Sequence, residues 1–294
     1  MEINTSTKLT GLFGHPVEHT LSPLFMNFIF NRLNLNSRYI AFDIKQENIK
    51  DALHSLRILG FKGVNVTIPY KQSVFKSIES LSDDAMLIGA VNCIVNKNGL
   101  LYGHNTDHLG FIKPLGDRDL KIRDESAIII GCGGAARSVL YALMKKGIYR
   151  IYLINRTKKN ADNFILWSKE TLQFKEITYI GDKNALSQGI VNDTALIINT
   201  TPVGMFPDIK NNPLPEGITF KSGHIVYDLI YNPDKTAILK KAEKEGAQAI
   251  NGFEMLILQG LYSCGLWFPD KKEQIFSIQR KVMSYTKKQF ETVP

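Results

Sequence analysis

The stretch SAIIIGCGGAARSVLYALMKKG, residues 126–147, joins an apolar strand pattern to a helical pattern through a glycine-rich turn. The turn fits the spacing G-x-G-x-x-G/A, with alanine in the third position. Gly131 permits the tight turn, Gly133 lets the backbone approach a pyrophosphate, and Ala136 keeps the helix close to the strand. The first helical N–H groups attract phosphate. This context predicts a dinucleotide site that also includes Gly134 and Ala135, and a glycine-rich turn without a ligand is the alternative.

The end of the next strand indicates which dinucleotide is bound. The strand RIYLI is followed by Asn155, Arg156 and Thr157. A carboxylate here would bind the ribose 2′-hydroxyl of NAD, but an arginine stands in its place. The planar guanidinium suits a 2′-phosphate, so the sequence predicts NADP. Alternatively, Thr157 or Asn155 caps a helix and Arg156 is merely exposed.

Around this stretch, strand-like and helix-like patterns alternate along most of the chain, which predicts an α/β fold with mostly parallel sheets covered on both faces. An Asn98-Gly99 pair between two strand-like runs predicts an antiparallel hairpin, so one sheet should be mixed. The predicted strands are Leu9–Phe13, Tyr39–Phe42, Val64–Ile68, Ala127–Ile130, Ile151–Ile154, Leu196–Ile198 and Ile225–Tyr227. The predicted helices include Pro23–Leu33, Asn48–Leu59, Ala136–Lys146 and Lys235–Lys244.

The sheet pattern starts afresh near Ser126, after a polar segment that contains Pro114 and Gly116. This restart predicts two domains, with a hinge before the second. The first is a mixed, mostly parallel α/β sandwich formed by residues 1–107 and 250–294, and the second is a Rossmann-type domain formed by residues 108–249. The last apolar helical pattern, after Gly252, should pack back on the first domain.

Composition narrows the class of protein. The chain has 294 residues, of which 44% are hydrophobic and 22% charged, and its net charge is +8. The lysines are dispersed among acidic residues, which argues against nucleic-acid binding. The net positive charge favours anionic small molecules as ligands. The N-terminus lacks a signal-peptide pattern, no apolar run approaches the roughly 18 residues of a membrane span, and the three cysteines are scattered. These features predict a cytoplasmic protein without a membrane partner. The sequence leaves open whether it is a monomer or a homodimer.

Residues 65–71, NVTIPYK, place polar side chains where a buried strand ends. Ligands of open α/β sheets bind beyond such ends, which favours Thr67 and Lys71 as site residues. Alternatively, Lys71 begins a helix and lies in solvent. Asp107 follows GHNT at the predicted domain junction, where pockets tend to form. Near the N-terminus, Thr20 and Ser22 precede a helix; an N-cap role would explain Ser22 but not Thr20.

Taken together, these motifs resemble the shikimate dehydrogenase family over nearly the whole chain. The matching stretches, in family order, are TLSP (20–23), NVTIPYK (65–71), AVN (90–92), GHNTD (103–107), GCGGAAR (131–137), NRT (155–157), INTTPVGM (198–205), YDLIYNP (227–233) and NGFEMLILQ (251–259).

The resemblance implies NADPH-dependent, reversible reduction of 3-dehydroshikimate to shikimate. Lys71 would transfer the proton to the carbonyl oxygen, and Asp107 would orient the lysine and the substrate. The resemblance also implies hydroxyl ligands for the substrate carboxylate in Thr20, Ser22 and Tyr231. For the ring hydroxyls it implies Asn92, Thr67 and Gln259. Thr201, Met205, Gly252 and Met255 would border the nicotinamide.

Several alternatives remain open at this stage. Gln259 could be satisfied by the backbone of its helix, and Met205 and Met255 could fill the core. Thr20 replaces the serine usual in the family, and its methyl group leaves activity on quinate open. A metal pair of His104 and His108 on one helix is rejected because no further ligand motif completes it. A non-catalytic NADP-binding sensor would lack Lys71 or Asp107, and both are present.

Overall fold

The computed structural model describes residues 2–118 and 122–292. The chain divides into two compact units, Met1–Gly110 with Leu256–Pro294 (unit 1) and Phe111–Met255 (unit 2). The chain passes between the units within two helices, α5 (Asp107–Asp117) and α10 (Phe253–Trp267). The predicted divisions, after residues 107 and 249, lie three and six residues before those of the two units. None of the helices in the described ranges is long and apolar enough to cross a membrane.

Unit 1 contains a mixed six-stranded sheet in the order β2-β1-β3-β5-β6-β4. Its strands are β1 (Lys8–Gly14), β2 (Ser37–Asp43), β3 (Gly63–Val66), β4 (Ser80–Leu81), β5 (Cys93–Lys97) and β6 (Leu100–His104). Its own helices are α1 (Ser22–Arg32), α2 (Ile49–Ile58), α3 (Lys71–Phe75), α4 (Asp83–Ile88), α11 (Lys272–Ser277) and α12 (Gln279–Thr292).

The antiparallel pairs of this sheet are β3–β5 and the hairpin β5–β6. Asn98 and Gly99 form the turn of this hairpin with φ of +54° and +88°, as a two-residue turn of this hand requires. The α10 segment of unit 1 packs on β5, where the buried Trp267 donates through Nε1 to the Ile94 carbonyl at 2.9 Å. The predicted mixed sheet is therefore confirmed, as is the packing of the predicted helix after Gly252 on the N-terminal sheet. Helices α11 and α12, which follow it, were not predicted.

Unit 2 contains a six-stranded sheet in the order β12-β11-β10-β7-β8-β9, and all its strand pairs are parallel. The strands are β7 (Ser126–Ile130), β8 (Arg150–Ile154), β9 (Ile177–Gly181), β10 (Leu196–Asn199), β11 (Ile225–Asp228) and β12 (Gln248–Ile250). The helices are α6 (Gly134–Lys145), α7 (Lys158–Glu170), α8 (Gln188–Asn192) and α9 (Ala237–Lys244). Strand order reverses between β7 and β10, so their carboxyl ends form the crevice in which doubly wound sheets bind ligands.

Each predicted strand is present, with ends shifted by one or two residues, but three short strands were missed: β4, β9 and β12. The predicted polar hinge before Ser126 is wrong for its first half, which α5 occupies despite Pro114. Phe111 and Leu115 lie four residues apart and are fully buried, so packing of this face outweighs the proline. The prediction also extended β3 to Ile68, whereas the strand ends at Val66 and Ile68 is exposed.

Candidate active site

In unit 1, a lysine and a carboxylate that are remote in sequence form an ion pair. The Lys71 Nζ donates to Asp107 Oδ2 at 2.6 Å, and their side chains are 16% and 5% exposed. Lys71 is the first residue of α3, and its carbonyl accepts from the Val91 N–H at 2.9 Å. Asp107 is the first residue of α5. The alternative that Lys71 is a solvated helix residue is therefore wrong.

The second oxygen of Asp107 is fixed by an amide. Asn92 Nδ2 donates to Asp107 Oδ1 at 2.8 Å, while Asn92 Oδ1 accepts from the Thr106 backbone N–H at 2.6 Å. The Asp107 N–H donates to Asn105 Oδ1 at 3.1 Å. Helix α4 positions Asn92: it begins with a Ser82 cap and ends at Gly89, after which the chain turns into residues 90–92. These contacts leave Asp107 Oδ2 directed at Lys71.

Further polar side chains extend this cluster. Asn92 Nδ2 lies 3.3 Å from Gln259 Oε1, and Gln259 Nε2 donates to the Leu256 carbonyl at 2.7 Å. The side-chain nitrogen of Gln259 is thus hydrogen-bonded to the backbone of its own helix, as the alternative for this residue predicts. Its side-chain oxygen faces the polar cluster. Asn65 Nδ2 donates to Ser263 Oγ at 2.8 Å, and Ser263 Oγ lies 3.1 Å from Thr106 Oγ1. The elements β3, α5 and α10 are joined through these groups.

The two N-terminal hydroxyl groups connect to the same network. Thr20 Oγ1 donates to Ser22 Oγ at 3.2 Å and accepts from the Ser22 N–H at 3.2 Å. Helix α1 begins at Ser22 with Leu21 at its N-cap, so the capping role for Ser22 is wrong. The buried Tyr39 donates to Asn65 Oδ1 at 3.0 Å; burial raises its pKa, and a hydrogen bond with Ser22 opposes the rise. A continuous polar path therefore runs from Thr20 to Lys71.

In unit 2, the glycine-rich turn has the geometry that its sequence predicts. Gly131 has φ of +107°, and a Cβ there would lie 2.6 Å from Thr200 Oγ1. Gly133 precedes α6, and a Cβ on it would meet no atom within 4 Å. Open space thus borders the helix N-terminus, where a pyrophosphate would fit. Burial raises the pKa of the Cys132 thiol to about 12, so this turn carries no thiolate that would repel a phosphate.

The end of β8 presents the predicted phosphate ligands. Asn155 Nδ2 donates to the Thr157 carbonyl at 2.8 Å, and Arg156 is exposed. Thr157 occupies the N-cap of α7 but its side chain makes no capping hydrogen bond, so the capping alternative is wrong for Thr157. The Asn155 carbonyl accepts from the Tyr179 hydroxyl at 3.0 Å, which ties this turn to β9. The Arg156 guanidinium remains accessible to an anionic ligand.

The segment after β10 is held by a side chain of the strand itself. Asn199 Oδ1 accepts from Thr201 N at 3.0 Å and from Thr201 Oγ1 at 2.7 Å. Beyond it, Met205 is 41% exposed, which overturns the core-filling alternative for that residue, whereas Met255 is 7% exposed and buried as a core residue would be. Gly252 is buried, and its N–H donates to the Ile230 carbonyl at 2.9 Å.

Comparison with known proteins agrees with this geometry. The family described as "Shikimate dehydrogenase substrate binding domain" matches residues 12–94. The shikimate dehydrogenase (NADP(+)) of Caldanaerobacter subterraneus subsp. tengcongensis is 40% identical over 267 residues, which are 91% of this chain and 94% of that protein. The chain belongs to the shikimate dehydrogenase family.

Solved structures of shikimate dehydrogenases share the fold. One, crystallised in complex with NADP+, is 36% identical with a TM-score of 0.83, over 94% of this chain and 97% of the other. Shikimate 5-dehydrogenase from Listeria monocytogenes, crystallised with shikimate and NAD, is 31% identical with a TM-score of 0.81, over 95% and 98%. The predicted α/β class with a substrate-binding and a Rossmann-type domain is confirmed.

Most of the predicted substrate ligands of this shikimate dehydrogenase family member fall in one unit. Unit 1 holds Thr20, Ser22, Thr67, Asn92 and Gln259, of which all but Thr67 belong to the hydrogen-bonded path described above. Tyr231 lies in unit 2, just after β11. These ligand assignments stay predictions. His104 lies in β6 and His108 in α5, so they do not form a pair on one helix, and the described ranges contain no metal-binding cluster of histidine, cysteine and carboxylate side chains.

Four residues of the site were missed by sequence reasoning: Asn65, Thr106, Ser263 and Asn199. Asn65, Thr106 and Asn199 stand inside the matching motifs NVTIPYK, GHNTD and INTTPVGM. Asn65 also alternates with apolar residues in β3, which is a signal for a buried polar contact. Ser263 lies four residues after Gln259, on the same face of an apolar helix. That spacing could have identified it.

Proposed function

We propose that this chain catalyses the reversible, NADPH-dependent reduction of 3-dehydroshikimate to shikimate. The observation that carries the proposal is the 2.6 Å contact between Lys71 Nζ and Asp107 Oδ2 within a largely buried polar cluster. One relative named above is a shikimate dehydrogenase (NADP(+)), and another shikimate dehydrogenase was crystallised with NADP+, which supports the same activity here. A cytoplasmic location is part of the proposal, because the three cysteines are free thiols, as a reducing compartment favours.

Lys71 is the proposed proton donor and acceptor. When bound, NADPH supplies the hydride. Reduction places negative charge on the carbonyl oxygen of the substrate, and the Lys71 ammonium group stabilises that charge more strongly in the transition state than in the ground state. Its proton then moves from Nζ to the oxygen, and in shikimate oxidation the neutral amine takes the proton back.

Asp107 holds the lysine in place and keeps an acceptor near the reacting oxygen. Its Oδ1 is engaged by Asn92 Nδ2 at 2.8 Å, so its Oδ2 is available to Lys71 and to a substrate hydroxyl. A carboxylate that is held by an amide cannot rotate without losing a buried hydrogen bond, which costs about 1–3 kcal/mol. The geometry of the pair is therefore set before the substrate binds.

The hydroxyl groups of Thr20 and Ser22 are the proposed ligands of the substrate carboxylate, together with Tyr231. Asn92, Thr67 and Gln259 are the proposed ligands of the ring hydroxyls. Because these groups would be left unpaired by an analogue that lacks a hydroxyl, the pocket should discriminate strongly among ring acids. The methyl group of Thr20 would narrow the pocket beside the substrate carboxylate. It should therefore affect the selectivity between shikimate and quinate.

The cofactor residues fit NADP. The space beside Gly133 would hold the pyrophosphate against the N-terminus of α6, where Gly134, Ala135 and Ala136 form the first turn. Arg156, with Asn155 and Thr157, would bind the 2′-phosphate. Thr201, Met205, Gly252 and Met255 would surround the nicotinamide. Each of these roles is a proposal for the residue named.

A spectrophotometric assay tests the activity. The purified chain should reduce NADP+ in the presence of shikimate, with absorbance of the reduced nicotinamide rising near 340 nm, and it should use NAD+ far less efficiently. The same assay with quinate in place of shikimate measures whether the pocket that contains Thr20 also accepts quinate. If the chain binds NADPH but oxidises neither shikimate nor quinate, the proposed dehydrogenase activity is wrong. The alternative of a non-catalytic cofactor-binding sensor would then remain.

Two nearby glycines should differ in stability, but not in the loss of NADPH affinity, in a second test. We expect Gly133→Ala to fold with unchanged stability, because its Cβ meets nothing, yet to lose roughly tenfold or more in NADPH affinity because the methyl group fills the pyrophosphate space. Gly131→Ala should lose both stability and NADPH affinity, because the φ of Gly131 is +107° and a Cβ there would meet Thr200. We expect the loss of stability to be about 1–3 kcal/mol. Calorimetric binding and thermal unfolding measure both. Wild-type NADPH affinity in a folded Gly133→Ala variant would disprove the pyrophosphate assignment.

A further inference from the structure

Asp228 is a fully buried carboxylate that has no part in the reaction steps above. It is the last residue of β11, and it pairs in register with Asn199, the last residue of β10. Burial raises the pKa of the carboxyl to about 6, and its hydrogen bonds oppose the rise. A buried carboxylate with only neutral donors contributes little to folding compared with an apolar residue of the same size. Its position at the carboxyl edge of the sheet points to another role.

Three neutral donors hold this carboxylate. Oδ1 accepts from Asn199 Nδ2 at 3.0 Å and from the Ile230 backbone N–H at 3.1 Å. Oδ2 accepts from Thr236 Oγ1 at 2.7 Å, and Thr236 is itself buried. The ends of β10 and β11 and the start of α9 are thus joined at one side chain. All three donor residues are buried and shielded from bulk water.

The contact with Asn199 extends the effect of Asp228 to the following loop. A carboxylate only accepts hydrogen bonds, so the Asn199 amide must present its nitrogen to Asp228. Its oxygen then faces the other way, where it accepts from Thr201 N at 3.0 Å and Thr201 Oγ1 at 2.7 Å. The same nitrogen lies 3.3 Å from the Val203 carbonyl. The carboxylate, together with the Thr201 N–H and the Val203 carbonyl, therefore sets the orientation of the amide that shapes residues 201–203.

The backbone on the other side of Asp228 is equally constrained. The Leu229 N–H donates to the Asn199 carbonyl at 3.0 Å, and a Cβ on Gly252 would lie 2.0 Å from the Leu229 carbonyl oxygen. Gly252 is therefore required for this close approach of two backbone segments. Thr201 and Gly252, both proposed to border the nicotinamide, are connected to Asp228 through one or two residues each.

We propose that Asp228 is a positioning residue that fixes the 201–205 loop in the shape required to receive the nicotinamide end of the dinucleotide. The inference rests on the proposed function, since it assumes that this chain binds NADPH. It predicts that loss of the carboxylate displaces the nicotinamide while the adenine half of the cofactor stays bound. A misplacement of about 1 Å at a reacting centre lowers a rate by about 10²-fold.

The test compares Asp228→Asn and Asn199→Ala with a matched control, Asp193→Asn. Asp228→Asn keeps the shape but replaces one acceptor by a donor, so Asn199 or Thr236 loses its partner. Asn199→Ala cuts the link to the loop while the Ile230 and Thr236 contacts remain, and it decides the question if Asp228→Asn does not fold. Asp193 is exposed and lies in the same unit as Asp228. Its substitution by asparagine removes one negative charge, as Asp228→Asn does.

Three measurements separate positioning from general stability: kcat for shikimate oxidation, the emission of bound NADPH, and calorimetric Kd values for NADPH and for 2′-phospho-ADP-ribose, which lacks the nicotinamide. In both variants we expect kcat to fall about 10–100-fold. The emission should move toward that of free NADPH, and the Kd of 2′-phospho-ADP-ribose should stay at the wild-type value. The control should match the wild type throughout.

Wild-type kcat and emission in a folded Asp228→Asn or Asn199→Ala variant would overturn the proposal. So would an equal loss of affinity for NADPH and 2′-phospho-ADP-ribose, which indicates collapse of the whole dinucleotide site. If the wild type binds NADPH but does not oxidise shikimate, the proposed function fails, and the emission and the two Kd values still decide the role of Asp228. A wild type that binds no NADPH overturns both.

Discussion

Lys71→Ala is expected to lower kcat for shikimate oxidation by about 10³-fold or more, with a small change in KM. The variant removes both the proton acceptor and the positive charge beside the reacting oxygen. An interaction made mainly in the transition state lowers kcat and kcat/KM together. Initial rates at saturating NADP+ across a range of shikimate concentrations measure this split.

A second substitution at the same position separates charge from proton transfer. Lys71→Arg keeps a cation near Asp107, but a guanidinium does not give up its proton in proteins. If Lys71 transfers the proton, Lys71→Arg should be nearly as slow as Lys71→Ala. A rate close to that of the wild type would show that electrostatic stabilisation suffices and that the proton goes elsewhere.

The matched control for Lys71→Ala is Lys76→Ala. Lys76 follows α3 directly and is exposed, so its loss gives the same change in net charge without touching the cluster. Thermal unfolding is recorded in parallel, because removing Lys71 leaves Asp107 buried at 5% exposure without its cation, and a broken buried pair costs about 3–5 kcal/mol. A large rise in KM with wild-type kcat would assign Lys71 to binding and contradict the proposed chemistry.

The sequence predicts the two sheets because apolar strand patterns and turn residues act locally. The hairpin at Asn98-Gly99 needs positive φ at two adjacent positions, and few other pairs supply it. The glycine-rich turn before α6 is predicted for the same reason. By contrast, β4 has only two residues and β12 three, too few for a periodicity to be recognised. The helix at Pro114 formed against its local signal because burial of Phe111 and Leu115 dominates.

The ion pair of Lys71 and Asp107 could be proposed from motifs, and the spacing along α10 points to Ser263, but the partners that Ser263 contacts could not be predicted. Ser263 contacts Asn65, which lies 198 positions away in the chain. Serine is a common residue, so the sequence does not show which other residue a given serine contacts. Only the fold brings β3, α5 and α10 together. Asp228 is a similar case: it stands inside the motif YDLIYNP, but its burial and its contacts with Asn199 and Thr236 follow only from strand register and packing.

Arg156→Asp is expected to reverse the preference between NADP and NAD, with the ratio of their kcat/KM values changing by about 10³-fold or more. A hydrogen bond to a charged group contributes about 1.5–3 kcal/mol, and each 1.4 kcal/mol is a factor of ten. The variant loses that contact with the 2′-phosphate, repels the phosphate, and gains a carboxylate that can accept from the ribose 2′-hydroxyl of NAD.

Lys169→Asp is the control for this change. Lys169 lies in the last turn of α7, at the opposite end of the helix from Arg156, and it is exposed, so the variant has the same net charge. Steady-state kinetics with each dinucleotide, at low and high ionic strength, separate a specific contact from long-range attraction, because salt screens only the latter strongly. If both variants shift the ratio equally, the selectivity arises from the field of this basic protein, and the 2′-phosphate does not contact Arg156.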